Sequence, residues 1–67
     1  MENMQLAKRV RAFRKLKGYT QQELAAKSGI SLAVLGAIER GNRRAEEQVV
    51  IKVAEALGVS VQELTNG

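Results

Sequence analysis

The charged side chains of this 67-residue chain are mostly basic, and they fall into two clusters. No acidic residue lies between Glu2 and Glu23, and that segment holds Lys8, Arg9, Arg11, Arg14, Lys15 and Lys17. The second cluster is Arg40, Arg43 and Arg44. With a net charge of +4, such clusters suit the neutralisation of phosphates. A solvated helix face is the competing interpretation of the same residues.

The chain lacks most of the residue types that catalysis and metal binding need. It has no histidine and no cysteine, and all seven of its acidic residues are glutamates. General acid–base catalysis, an activated nucleophile and a metal site are therefore largely closed to it. We predict that the chain is not an enzyme and takes no metal and no cofactor.

Composition and hydropathy predict one small globular domain over residues 1–67, with 45% hydrophobic and 27% charged residues. No apolar run approaches the ~18 residues that a membrane span needs. The opening residues, "MENMQLAKRV", lack the apolar stretch of a signal peptide. We therefore expect a cytoplasmic protein with no membrane partner.

Periodicity and terminal residues predict five helices that would position the basic clusters. In the first helix, Asn3 can cap the start and Gly18 ends it. Residues recur there at steps of three and four, which is helical spacing. This narrow stripe consists of Leu6, Val10, Phe13 and Lys17, with Leu16 beside them.

Capping residues define the second and third helices. Thr20 and Glu23 have capping-box spacing, so a helix should run over residues 21–28 and end at Gly29. Ser31 caps the next helix, which should run to residue 40 and stop at Gly41. The residues expected to face the core are Leu24, Ala25, Leu35 and Ile38.

The fourth and fifth helices complete the pattern. The fourth should run over residues 45–57 and end at Gly58, with Glu46 and Glu47 in its first turn near the positive end of the helix dipole. Its apolar face is Val50, Val53, Ala54 and Leu57. Ser60 and Glu63 repeat the capping-box spacing and start a short fifth helix. There is no strand signal, so the predicted fold class is all-α.

Helices 2 and 3 together have the features of a helix-turn-helix unit over residues 21–40. A small residue, Ala25, lies where the two helices cross, because a bulky side chain would separate them. Gly29 lies in the turn, where a Cβ would strain a left-handed backbone. Ile30, Leu35 and Ile38 are expected to be buried beneath the unit.

The wider sequence resembles the Cro/repressor-type, or XRE, family of helix-turn-helix domains. Its strongest matching segments are "RKLKGYTQQELA", "IERG" and "ALGVSVQEL", and the likeness covers residues 5–64. This resemblance implies a compact five-helix, lambda-repressor-like DNA-binding domain. It also implies a homodimer on a two-fold symmetric operator.

The resemblance further implies roles for individual residues. Gln21 and Gln22 would lie at the start of helix 2 beside a DNA phosphate, where helix amides are oriented towards an anion. Four residues at the end of helix 3 and after it would contact backbone phosphates: Arg40, Asn42, Arg43 and Arg44. The competing interpretations are plain helix surface for the glutamines and a solvated loop for Arg43 and Arg44.

Two further pairs are implied in the same way. Arg14 and Glu39 occupy positions that commonly form a largely buried ion pair in this family. Val61 and Thr65, in the fifth-helix region, would contribute the dimer interface. The alternative for Val61 is simple core packing.

Two departures from the family pattern concern the start of helix 4. Ala45 stands where the family often has proline, which should leave that connection less rigid. Glu47 stands where the family usually has an apolar residue, so we expect a thinner core at that edge.

A third departure concerns helix 3. By resemblance, its major-groove face consists of Ser31, Leu32, Ala33, Gly36 and Ala37. Of these side chains only Ser31 is polar, whereas direct base readout relies on bidentate Arg, Gln or Asn. Three explanations remain open. The helix reads thymine methyls at close range with help from DNA shape, its apolar face binds another protein, or that face packs within an oligomer or against an absent domain.

We therefore predict a sequence-specific, double-stranded DNA-binding transcriptional regulator that acts as a homodimer, with repression by promoter occlusion as the expected outcome. The alternative is a protein-interaction module, an antitoxin or a co-regulator, that docks a partner through the apolar helix 3.

Overall fold

The chain folds into five helices in a computed structural model that describes residues 3–65. They are α1 (Asn3–Leu16), α2 (Gln21–Ser28), α3 (Leu32–Glu39), α4 (Glu47–Leu57) and α5 (Val61–Thr65). Residues 3–65 contain no strand. The all-α, five-helix prediction is therefore confirmed, as are the bounds of α2.

The first helix differs from its prediction at its start and in its apolar stripe, whereas Gly18 follows its end as predicted, with a left-handed φ of 77°. Asn3 is its first helical residue, so the capping position lies before Asn3 and outside the described residues. Leu16 is 77% exposed and does not extend the apolar stripe. At 3.6 residues per turn, Leu16 lies about 120° around the helix from Val10, which is 1% exposed. The buried stripe consists of Leu6, Ala7 and Val10, with Phe13 partly buried against the core, and Lys17 is exposed like Leu16.

Both ends of α2 and the start of α3 form as their residues predict. Thr20 Oγ1 accepts a hydrogen bond from the Glu23 N–H at 3.0 Å, and the Thr20 N–H donates to Glu23 Oε1 at 2.8 Å. Gly29 ends α2 with a φ of 71°, in the left-handed region. Ser31 Oγ then accepts from the Val34 N–H and starts α3.

The connection from α3 to α4 is longer than predicted. Helix α3 ends at Glu39 with Arg40 as its C-cap, and α4 begins at Glu47 after Glu46, which makes no side-chain capping bond. The prediction that α4 starts at Ala45 was wrong. Ala45 is 7% exposed and packs into the core ahead of the helix, so burial rather than helix propensity decides its conformation.

The core fixes the orientation of the helix-turn-helix. Helix α2 packs on α4, and α1 packs on both α3 and α5. Leu24, Leu35, Leu57 and Leu64 are each no more than 2% exposed at the centre of this packing. One side of α3 is thereby held against the core while its other side faces outward.

The fifth helix starts with the predicted capping box. Ser60 Oγ accepts from the Glu63 N–H at 3.1 Å, and the Ser60 N–H donates to Glu63 Oε1 at 3.0 Å.

In the described part of the chain, no helix is both long enough and apolar enough to cross a membrane.

Candidate nucleic-acid interface

The two sides of α3 have different chemistry. Leu35, Ile38 and Glu39 are buried, each at most 2% exposed. Ser31, Leu32 and Ala33, at the start of the helix, are exposed, and Leu32 keeps 43% of its surface open to solvent. The exposed side therefore presents one hydroxyl and two apolar side chains.

The remaining two residues of the expected groove face are less open. Ala37 is half-buried, and Gly36 is buried. Gly36 is covered by the side chain of Arg40, whose Nη1 lies 3.1 Å from the point where a Cβ of residue 36 would stand. The exposed glycine expected from the sequence is thus a glycine beneath a guanidinium group.

Most of the residues expected to contact phosphates are exposed. This holds for Gln22, Arg40, Asn42, Arg43 and Arg44. Gln21 differs, because it is half-buried and its Nε2 donates to Glu39 Oε1 at 3.0 Å. This bond is a structural contact within the protein, and it leaves one of the two N–H donors of the Gln21 amide for another acceptor.

Arg14 and Glu39 form the pair that the family resemblance implies. Arg14 Nε and Nη2 donate to the two carboxylate oxygens at 2.8 and 3.0 Å, which is the bidentate geometry of an arginine–carboxylate pair. Their side chains are 14% and 1% exposed. Arg14 Nη1 also donates to the Tyr19 carbonyl at 3.0 Å. This cluster connects α1, the start of α2 and α3, and so fixes the exposed side of α3.

In the first basic cluster, two arginines contact other side chains and the other members are exposed. Arg14 is used by Glu39, and the Arg9 guanidinium lies over the Phe13 ring, 5.8 Å from its centroid. The remaining members are exposed on or just after α1: Lys8, Arg11, Lys15 and Lys17. Over residues 3–65, no group of three histidine, cysteine or acidic residues forms a candidate metal site.

The two residues expected at a dimer interface lie close together. Val61 is half-buried and packs against the core, and Thr65 Oγ1 donates to the Val61 carbonyl at 3.0 Å. Both keep part of their surface open. Contact with a second subunit and partial core packing are therefore compatible for Val61.

Sequence reasoning missed two features of this region. The Gln21–Glu39 bond joins residues 18 apart, and no local pattern indicates it. The Arg40 side chain over Gly36 has a signal, because residues four apart are neighbours on a helix surface. A glycine four residues before an arginine was therefore visible in the sequence.

The sequence of this chain matches a known protein family and several known proteins. A family model described as "Helix-turn-helix" matches residues 10–64. An uncharacterised HTH-type transcriptional regulator, YazB of Bacillus subtilis, is 51% identical over 57 residues, which span 85% of this chain and 83% of YazB. The HTH-type transcriptional regulator SinR of Bacillus licheniformis is 39% identical over 62 residues, spanning 91% of this chain and 56% of SinR.

Solved structures agree with the fold. The restriction-modification controller protein C.AhdI of Aeromonas hydrophila superposes with a TM-score of 0.88 at 34% identity, covering 91% of this chain and 92% of that chain. SinR solved in complex with DNA superposes with a TM-score of 0.85 at 38% identity, covering 88% and 95% respectively. The chain belongs to the XRE family of helix-turn-helix DNA-binding transcriptional regulators.

Proposed function

We propose that this chain represses transcription by binding a specific duplex DNA site as a homodimer and blocking a promoter. The observation that carries the proposal is a set of unpaired arginine side chains at the end of α3 and in the loop that follows it. Arg40, Arg43 and Arg44 are exposed, and within the described residues none of their side chains makes a hydrogen bond or an ion pair. Unpaired guanidinium groups around an exposed helix suit the phosphates that border a DNA groove.

The exposed side of α3 supports groove binding at close range. Leu32 and Ala33 are apolar and can contact thymine methyl groups, while the Ser31 hydroxyl can still donate a hydrogen bond. Small side chains reduce the distance between helix and bases. The Arg14–Glu39 pair holds this helix rigidly, so the contacts are preorganised.

Two measurements test the DNA-binding part of the proposal. Selection of bound sequences from a random duplex pool should yield one preferred site with two-fold symmetry. Titration of the selected duplex and of random duplex at several salt concentrations should show affinity falling steeply as salt rises, because bound phosphates release counterions. Weak duplex binding at every salt concentration would contradict the proposal.

The homodimer is proposed because one domain offers few groups that can read bases. Two domains about 34 Å apart on one DNA face would double the contacts. We place the interface at Val61 and Thr65. Val61→Glu should abolish dimerisation in sedimentation equilibrium while the helical circular dichroism persists. Loss of the helical signal instead would assign Val61 to the core.

Repression has its own test. Transcription in vitro from a promoter that contains the selected site should fall as the protein is added, and a promoter with a scrambled site should be unaffected. A rise in transcription would identify an activator.

A second candidate function has one observation in its favour. Leu32 is a large apolar side chain that is 43% exposed on α3, and such a surface suits a protein partner. One similar protein, SinR, has been solved in complex with the SinI protein, with a TM-score of 0.88 to this chain. Leu32→Ser would weaken partner binding under this function, and duplex binding would be poor in the parent protein.

A further inference from the structure

We propose that Arg40 reads a guanine in the major groove and that Gly36 is the residue that allows it to do so. This role rests on the DNA binding proposed above. It gives the apolar α3 a base-reading group that its own exposed side chains lack. It also assigns Arg40 to the bases rather than to the phosphate contact that the family resemblance implies.

The position of the Arg40 side chain is the first step. Arg40 caps α3, and its N–H donates to the Gly36 carbonyl at 3.1 Å. Its side chain then turns back over the preceding turn, the usual direction for long side chains on a helix. Nη1 lies 3.1 Å, and Cζ 4.0 Å, from the position that a Cβ of residue 36 would take.

Space, rather than backbone conformation, explains the glycine. Gly36 is not among the glycines with positive φ, so any residue could adopt its backbone. A mid-helix glycine lowers stability relative to alanine. A Cβ at residue 36 would stand too close to the guanidinium for an ordinary contact. The glycine therefore provides the slot in which the Arg40 side chain lies.

The slot lies on the side of α3 that faces outward. Leu32 and Ala33 precede Gly36 by four and three residues, so they are its neighbours on the helix surface, and both are exposed. The guanidinium group is thus held one turn after the apolar residues. The five N–H donors of the guanidinium are free, since the Arg40 side chain has no hydrogen-bond acceptor within the described chain.

Guanine is the base that fits this group. A guanidinium donates two parallel hydrogen bonds to O6 and N7 of guanine in the major groove, and no other base presents that pair of acceptors. Leu32 and Ala33 would contact neighbouring thymine methyls. The preferred half-site therefore combines one G·C pair with adjacent A·T pairs.

The test compares base preferences of the full chain and its Arg40→Lys variant by selection from a random duplex pool. Lysine keeps the charge but loses the fork. Arg40→Lys should reduce the preference for one G·C pair in each half-site about tenfold and leave the other positions unchanged. Replacing that guanine by 7-deazaguanine, which lacks N7, should weaken binding of the parent protein and leave Arg40→Lys unaffected.

Two further variants act as controls. Arg43→Lys is the matched change at a neighbouring exposed arginine and should leave every base preference intact. Gly36→Leu fills the slot, and it should reproduce the loss of guanine preference while its melting temperature stays equal or rises. Melting curves for all three variants establish that they fold.

The outcomes separate this role from DNA binding itself. Equal weakening of all sequences by Arg40→Lys would make Arg40 a phosphate contact and overturn the inference while duplex binding stands. An unchanged response to 7-deazaguanine would overturn it too. If the parent protein selects no sequence at all, the proposed function fails together with it.

Discussion

Arg14 and Arg40 meet α3 on its buried and exposed sides, and they use the same guanidinium group differently. Arg14 donates to both Glu39 oxygens and to the Tyr19 carbonyl, so its nitrogens are engaged inside the protein. The Arg40 side chain lies against Gly36 and has no hydrogen-bond acceptor in the described chain. The two residues that receive these side chains, Glu39 and Gly36, are three apart on one helix.

This difference separates a structural role from a binding role. A buried charge is stable only with a partner of good geometry, and no buried side-chain nitrogen or oxygen among the described residues lacks one. An exposed guanidinium has no such requirement and can keep its donors for a ligand. Stability should therefore depend on the buried pair, and DNA affinity on the exposed arginines.

The largest expected effect comes from the buried side. Glu39→Gln removes the carboxylate that accepts from Arg14 and Gln21 and leaves the Arg14 charge without its partner. Breaking a buried pair in this way costs about 3–5 kcal/mol. For a domain of this size that lowers the melting temperature by roughly 12 °C or more, measured by circular dichroism.

The matched control for this variant is Glu55→Gln, the same change at an exposed glutamate of α4. It should shift the melting temperature very little, since isolated surface charges contribute about 0–1 kcal/mol. Equal, small shifts for the two variants would show that the Arg14–Glu39 pair contributes no more than a surface pair.

The exposed side gives the next effect, on binding rather than on stability. Replacing Arg43 and Arg44 together by alanine should weaken selected and random duplexes alike, by about thirtyfold or 2 kcal/mol. The slope of log affinity against log salt should fall by about two. Fluorescence anisotropy at several salt concentrations measures both quantities.

If this double variant lowered the melting temperature as strongly as Glu39→Gln, stability would not depend on the buried pair alone, and the division of roles between buried and exposed arginines would be wrong. Its control is Lys52→Ala, which removes an exposed positive charge from α4. An unchanged affinity and salt slope for the double variant would assign Arg43 and Arg44 to a solvated loop.

Local signals explain how much of this fold the sequence predicted. The capping pair Thr20 and Glu23 and the left-handed Gly29 define α2 within a few residues of chain, so its bounds were correct. The start of α4 was wrong because Ala45 is placed by burial against distant residues. The exposure of Leu16, by contrast, follows from its position about 120° around α1 from Val10, which helical spacing already indicates.

In the candidate site, too, local spacing was readable from the sequence, whereas contacts between distant residues were not. The partnership of Arg14 with Glu39, 25 residues apart, was available only through family resemblance. Gln21 joined that pair without any local sign. The spacing of Gly36 and Arg40 was readable, but the direction of the arginine side chain depends on its rotamer, which spacing does not determine.

A smaller effect concerns the apolar part of the exposed side. If Leu32 and Ala33 contact thymine methyls, replacing a contacted thymine by uracil should weaken binding by about 0.5–1 kcal/mol. Leu32→Ala should remove the sensitivity at one of these thymines, whereas Arg43→Ala should preserve it. Competition titrations against the selected duplex resolve such differences. Indifference to every uracil would mean that α3 does not touch methyl groups in the groove.

The smallest expected effect is on stability, at Glu23, a carboxylate that is exposed like Arg40 but hydrogen-bonded within the protein like Glu39. The pKa of Glu23 is held below its usual value, first by the hydrogen bond from the Thr20 backbone N–H, then by the Thr20 side chain, with a lesser effect of Lys27. Because the folded-state pKa lies below the unfolded-state value, this carboxylate stabilises the fold at neutral pH, and the contribution is lost as pH falls through the lowered pKa. Glu23→Gln should therefore melt slightly below the parent protein at neutral pH, and the two melting temperatures should converge under more acidic conditions than an ordinary glutamate requires. Glu55→Gln provides the control for the loss of an exposed glutamate charge. A difference that persists unchanged at acidic pH would mean that the glutamine fails through its shape and not through its missing charge.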